Sequence, residues 1–278
     1  MPEHPVVAEN IYRQKILLDP QDTIGKKILR DGIYDKTGLY FIEKVLSKID
    51  QAIVFDVGAS IGNHALRMSQ YCHKVYLFEP QARIAAYLQQ TMSLNNIKNW
   101  QICPFGLSDQ DETLPLYRNL ESNVETSFVA DLKAKHFATE EAKVCVGDRV
   151  VELNQLSRLD FIKIDVEGFE AKVIAGLSQS IQQFRPVIFM EWDKAITKRQ
   201  FEEYDLLDKL FGSYLIKAIR RNPQESTLLK KIGGIIRHFF SPGTERKRWI
   251  VGDFKPQSNY RHIVFVPQEK AHLIADLI

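Results

Sequence analysis

Four of five short apolar runs in this 278-residue chain end on carboxylates, where a ligand could meet them. Asp56 opens the turn Asp56-Val57-Gly58-Ala59-Ser60-Ile61-Gly62, and Glu79 closes the run 74–78. Asp165 and Glu167 close 161–166, and Glu191 and Asp193 follow 186–190. In the remaining run, 100–106, Ser108 and Asp109 come just after the end. Two acids one residue apart, as at Asp165 and Glu167, can raise one another's proton affinity, so one of them can serve as a general base. His64 and Glu191 are further candidate bases. Each also has a plainer role: a satisfied histidine for His64, a polar strand exit for Glu191, and for Glu167 an acid at the start of a helix. No His/Asp/Glu cluster shows ligand spacing, so no metal is expected. A Mg²⁺ held by Asp165 and Glu191 with waters is the one arrangement these acids would allow.

The turn after Asp56 separates classes of ligand. Phosphate binding calls for GxGxxG or GxxxxGK[ST], whose N–H groups cradle the anion, and this turn matches neither. Asp56, two residues before Gly58, would repel a pyrophosphate but suits a cation. S-adenosylmethionine is such a ligand, with a sulfonium, an ammonium and no phosphate. Gly58 and Gly62 let the backbone come close to it. Glu79, 21 residues after Gly58, is placed to accept from both ribose hydroxyls. The expected cofactor contacts are Asp56, Gly58, Ser60, Gly62, Asn63, Glu79, Pro80, Ser108, Asp109 and Asp165, and the expected catalytic residues are Asp165, Glu167 and His64.

The elements that would position these groups follow from periodicity. The run 52–57 is short, apolar and rich in β-branched residues, as a buried strand is, and 74–78, 100–106, 161–166, 186–190, 214–219 and 262–266 read as further strands. Helical patterns at 81–94, 169–177 and 199–211 alternate with them, so the chain is α/β with right-handed crossovers and a doubly wound parallel sheet. Residues 1–19 read as irregular or as one short helix. With helices from 22 and from 39, residues 1–50 form an N-terminal helical segment packing on a 51–278 ligand-binding domain. Residues 107–158 break the rhythm as an excursion over the sheet, and 220–260 form an insertion.

The segments VFDVGASIGNHAL, VYLFEP, FIKIDVEGFEAKVIAGL and PVIFMEWD resemble the FkbM-type family of methyltransferases, over about residues 22–193. The resemblance implies the Rossmann-like class I methyltransferase fold, with a seven-stranded sheet whose last strand is antiparallel. It implies O-methylation of a hydroxyl on a sugar, glycan or other small molecule. It also implies that Asp56, Gly58 and Gly62 contact S-adenosylmethionine, that Glu79 holds the ribose, and that Asp165 with Glu167 stands at the reacting end. Asn63-His64 departs from the pattern, since members often carry a bulky aromatic there.

Bulk properties narrow the rest. Lys+Arg 37 against Asp+Glu 35 leaves a net charge of +2, which argues against a nucleic-acid partner bound by phosphate neutralisation. Cys72, Cys103 and Cys145 read as buried, reduced thiols. With no signal-peptide run at the N-terminus, the expectation is a cytoplasmic protein. Residues 226–240 place Leu228, Leu229, Ile232, Ile235, Ile236, Phe239 and Phe240 on one helical face with basic residues beside it. That stripe suits a lid, a homodimer contact or peripheral docking on an anionic membrane, and the last would admit a lipid-linked acceptor. Acids kept at the strand ends weigh against a catalytically inactive binding module, and the turn chemistry weighs against a NAD enzyme.

Overall fold

The computed structural model describes residues 5–119, 126–128, 137–221 and 249–278. The N-terminal segment is not wholly helical. It opens with a hairpin, β1 (Val6–Glu9) and β2 (Lys15–Leu18), before α1 (Thr23–Asp31) and α2 (Lys36–Leu46). The hairpin escapes a helical reading because both strands are only four residues long. It docks through main-chain groups: Gln14 donates to the Leu66 carbonyl at 2.9 Å, and the Leu17 N–H donates to Thr91 Oγ1 at 3.1 Å.

The alternation that follows is β3 (Ile53–Val57), α3 (Asn63–Met68), β4 (Lys74–Phe78), α4 (Ala82–Leu94) and β5 (Trp100–Cys103). After an excursion it resumes with β10 (Phe161–Ile164), α6 (Glu170–Gly176), α7 (Ser178–Phe184) and β11 (Val187–Trp192). The helical pattern at 199–211 divides into α8 (Ala195–Glu203) and α9 (Leu206–Phe211), because Asp205 takes a left-handed conformation with φ 53°. β12 (Tyr214–Arg221), β13 (Trp249–Asp253) and β14 (Tyr260–Pro267) complete the sheet.

The strand order is β5-β4-β3-β10-β11-β14-β12-β13. The first five run parallel, and β14 lies antiparallel between β11 and β12. This is the expected doubly wound, mostly parallel sheet with an antiparallel last strand. It has eight strands rather than seven, because β13, from within the 220–260 insertion, pairs antiparallel with the edge of β12. Strand order reverses between β3 and β10, and ligands of open α/β sheets bind beyond the carboxyl ends of the strands at such a point.

Successive residues on the inner strands face opposite sides. Val54, Val75, Leu77, Phe161 and Val187 join a core with α2, α3 and α4. Phe55, Val57, Phe78, Ile162 and Ile188 join a second core with α6 and α7. Burial on both faces is why these strands read as continuous apolar runs. The excursion folds as a small sheet, β6 (Gly106–Ser108), β7 (Glu112–Asn119), β8 (Thr126–Ser127) and β9 (Phe137–Val146), ordered β6-β9-β7-β8, followed by α5 (Gly147–Leu153). It sits tightly on α6: a Cβ at Gly176 would fall 1.8 Å from the Ser108 carbonyl oxygen. Residues 226–240, and with them the lid, dimer or membrane reading, lie outside the described residues. No helix among the described residues is long and apolar enough to cross a membrane.

Candidate functional site

The carboxyl ends of β3, β4, β10 and β11 open into a cleft of about 810 Å³, counting its mouth. Its first wall is the turn after β3. Gly58 has φ +81°, and a Cβ there would lie 2.0 Å from the Asp165 carbonyl oxygen, so only glycine lets the two loops meet. The same turn is tied from below by Lys163 Nζ, which donates to the Gly58 carbonyl at 2.8 Å.

Glu79, at the end of β4, is 5% exposed and lines the cleft. Its Oε2 accepts from the Ser60 N–H at 3.0 Å and its Oε1 from the Gln81 N–H at 2.9 Å. Each carboxylate oxygen keeps a further lone pair, so the group is oriented to accept from a vicinal diol. Burial pushes its pKa up to about 7, against the lowering pull of those two N–H groups. Ser60 Oγ, on the same wall, is buried without a hydrogen-bond partner among the described residues. An orphaned hydroxyl beside an oriented carboxylate is what the ribose and its neighbours would satisfy.

The opposite end is acidic. Asp165, Glu167 and Glu191 line the cleft, and carboxylate oxygens of the three lie within 4.8 Å of one another. Glu167 has a left-handed φ of 53° and pairs with Lys194 at 2.8 Å. Its turn is held by Glu170, whose Oε1 accepts from the Gly168 N–H at 3.1 Å and whose Oε2 accepts from the Thr197 hydroxyl at 2.5 Å. Burial, then the charges of Asp165 and Glu167, lifts the Glu191 pKa far above the usual carboxylate range. Such a trio can hold a cation or take up a proton. It is also compatible with a metal ion, the arrangement the sequence left open at Asp165 and Glu191, because the fold brings Glu191 beside Asp165 and Glu167, 24 or more residues earlier in the chain. The remaining walls come from the N-terminal segment (Thr23, Ile24, Tyr34) and from the excursion (Leu116, Phe128).

Residues 56–215 match the methyltransferase FkbM domain, more than half of the chain. The chain belongs to the FkbM methyltransferase family. The chain is 29% identical over 173 residues to "Methyltransferase 1" of Beauveria bassiana, a match covering 55% of this chain and 66% of that protein. It is 27% identical over 212 residues to "Methyltransferase sdnD" of Sordaria araneosa, covering 64% and 78%. It is 27% identical over 141 residues to the hexuronic acid methyltransferase AglP of Haloferax volcanii, covering 49% and 54%. A crystal structure of a methyltransferase FkbM from Methylobacillus flagellatus aligns with a TM-score of 0.45 at 14% identity, over 89% of this chain and 62% of that one.

The FkbM-type motifs are divided by the structure into residues that face the cleft and residues that build it. Gly58, Ser60, Glu79, Pro80, Asp165 and Glu167 line it. Asp56 does not reach it directly: fully buried, it pairs with Lys163 at 3.1 Å, so the cation it was expected to meet is supplied by the protein. Gly62 and Asn63 serve packing instead. Gly62 (φ +96°) lies against Leu88 and Thr91 of α4, and Asn63 Nδ2 donates to the Tyr34 carbonyl at 3.2 Å. Ser108 donates to Asp109 at 3.1 Å, and Asp109 faces Lys172 at 3.7 Å, away from the cleft. His64 is corrected as a base. It is buried, and its Nε2 lies 3.0 Å from Asp35 Oδ2, while His262 Nε2 lies 2.9 Å from Asp35 Oδ1. Sequence reading missed Tyr34, Leu116 and Phe128, since lone aromatic and aliphatic residues in loops and edge strands carry no positional signal.

Proposed function

We propose that this chain transfers the methyl group of S-adenosylmethionine to a hydroxyl of a sugar or similar small acceptor. The observation that carries this reading is one cleft with a diol-accepting carboxylate, Glu79, at one end and the trio Asp165, Glu167 and Glu191 at the other. Bound there, the cofactor would supply a methyl carbon activated by its sulfonium. Glu79 would hold the ribose hydroxyls, its oxygens pre-aimed by the N–H groups of Ser60 and Gln81. The trio's charge would favour the cationic end of the cofactor.

Alignment of acceptor and methyl can supply ~7–11 kcal/mol of the barrier. The acceptor oxygen must also shed its proton, and a positioned base contributes ~10²–10⁴-fold. Glu191, whose proton affinity is lifted by burial and by its acidic neighbours, is suited to receive it. Burial pushes Tyr34 up to about 12, so it stays a neutral phenol able to orient the acceptor. That one relative is a hexuronic acid methyltransferase supports a sugar-type acceptor. Calorimetric titration with S-adenosylhomocysteine and then NAD, in one buffer, tests the cofactor; transfer of labelled methyl into a saccharide pool tests the reaction. S-adenosylhomocysteine should bind and NAD should not. Binding with no label transferred to any saccharide would leave a binding module in place of an enzyme.

A further inference from the structure

Two more clefts continue from the acidic end, and their chemistry changes along the way. The first shares Tyr34, Glu167 and Glu191 with the cofactor cleft and adds a third acid, Asp193, with Lys194 and Arg261. The second shares Arg261 with the first and is lined by Arg220, Ser258, Asn259 and Tyr260 as well, with no carboxylate among its lining residues. Acceptor-side surface thus runs from three acids to two guanidinium groups.

The two arginines are held differently. Arg220 donates to the Tyr260 hydroxyl at 2.6 Å and lies 4.7 Å from that ring's centroid. Arg261 lies 5.3 Å from the Tyr34 centroid and is 47% exposed. Its nearest carboxylate, Asp35, already has both oxygens engaged by His64 and His262, so Arg261 Nε comes no closer than 3.6 Å. Arg261 makes no hydrogen bond to any described residue. His262, the next residue, is fixed in the core against Asp35 and stacks on Phe189 at 4.6 Å. The backbone carrying Arg261 is therefore anchored while its guanidinium fork remains available. A planar fork of this kind matches carboxylate or phosphate oxygens in pairs.

We infer that the acceptor carries an anionic group, a carboxylate or a phosphate, that Arg261 binds while the reacting hydroxyl lies at Glu191. The inference rests on the methyl-transfer reading of the cofactor cleft. Orientation follows from charge: the acidic end of the cleft repels an anion, so the anionic group faces the arginine end and the neutral hydroxyl faces the acids.

The test is ligand-observed NMR on protein saturated with S-adenosylhomocysteine. The probes are D-glucuronate, D-galacturonate and glucose 6-phosphate, against D-glucose and D-galactose. At least one anionic sugar should bind tenfold or more tighter than its neutral counterpart, and raised salt should narrow the gap. The uronate and phosphate arms separate the two anion types. Arg261→Gln should bring the anionic and neutral sugars within twofold of each other, and Arg261→Lys should restore only part of the preference. Equal binding of both classes, no sugar binding at all, or an undiminished preference in Arg261→Gln would overturn the inference. A protein that fails to take up S-adenosylhomocysteine would instead overturn the cofactor reading beneath it.

Discussion

Lys163 and Asp56 are register partners on the parallel strands β10 and β3, and their side chains meet at 3.1 Å with 3% and 0% exposed. Burial works against the charge on Lys163, yet Asp56 and Asp165 hold its pKa above the ordinary lysine value. Removing one partner of a buried pair typically costs ~3–5 kcal/mol, because the other charge is stranded. Lys163→Met should therefore lower unfolding free energy by about that much in a urea titration. It should also weaken S-adenosylhomocysteine binding, since Gly58 loses its tether. Asp56→Asn/Lys163→Met should recover part of the stability. A loss below ~1 kcal/mol in the single variant would show that the pair does not secure these strands.

Glu79 makes a pH prediction with a definite sign. Its pKa rises from 4.5 to about 7 on folding, mainly through burial. Between those values the unfolded chain ionises while the folded one keeps its proton, so stability of the free protein falls as pH rises from 4.5 to about 7 and then levels off. Ribose hydroxyls favour the ionised form, so S-adenosylhomocysteine affinity should climb over the same range, with proton release at pH 6. Calorimetry in buffers of differing ionisation heat measures that release. Glu79→Gln should flatten both profiles and weaken binding by ~1.5–3 kcal/mol. A wild-type affinity independent of pH, or the same slope in Glu79→Gln, would count against the assignment.

His64 should matter for stability and not for chemistry. His64→Gln is expected to cost ~1–2 kcal/mol of unfolding free energy, the scale of a buried hydrogen bond lost, with kcat within about twofold of wild type. Asp35 should cost more, since it serves two histidines. Burial alone would raise its pKa, but His262 and His64 hold it well below 3.8. Its contribution is thus present above pH 3.8 and lost as pH falls below that value. Asp35→Asn should shallow the acid-unfolding limb there. A large kcat loss in His64→Gln would reinstate the histidine as a base.

Legibility followed the chemistry of each position. Continuous apolar runs announced β3, β4, β10 and β11, because both faces of the sheet are covered. Glu79 and Asp165 could be placed in the site because an acid just past a buried strand has to face the sheet's carboxyl edge. Asp56 stands one position before the end of β3, where the pleat and a cross-strand lysine decide its environment, and no local pattern foretells Lys163 as its partner. His64 was misread for the same reason: Asp35, 29 residues earlier, and His262, 198 residues later, are invisible to spacing. The hairpin β1–β2 consists of two four-residue strands, too short to show a period of their own, and their identity comes from docking.

Glu191 gives the sharpest kinetic prediction. Its pKa is raised to about 10, by burial first and by Asp165 and Glu167 next, so the free base is scarce at neutral pH and kcat should climb as pH rises toward about 10. An amide cannot accept the acceptor's proton. Glu191→Gln should therefore lower kcat by ~10²-fold or more and abolish the rising limb. Asp165→Asn removes one of the charges that lift Glu191, so its limb should move to lower pH while more of kcat survives. The two variants differ in the direction of the limb, which a general loss of structure would not produce. A Glu191→Gln enzyme that kept the wild-type limb would transfer the base role to Asp165 or Glu167, and the pH profiles of Asp165→Asn and Glu167→Gln would say which.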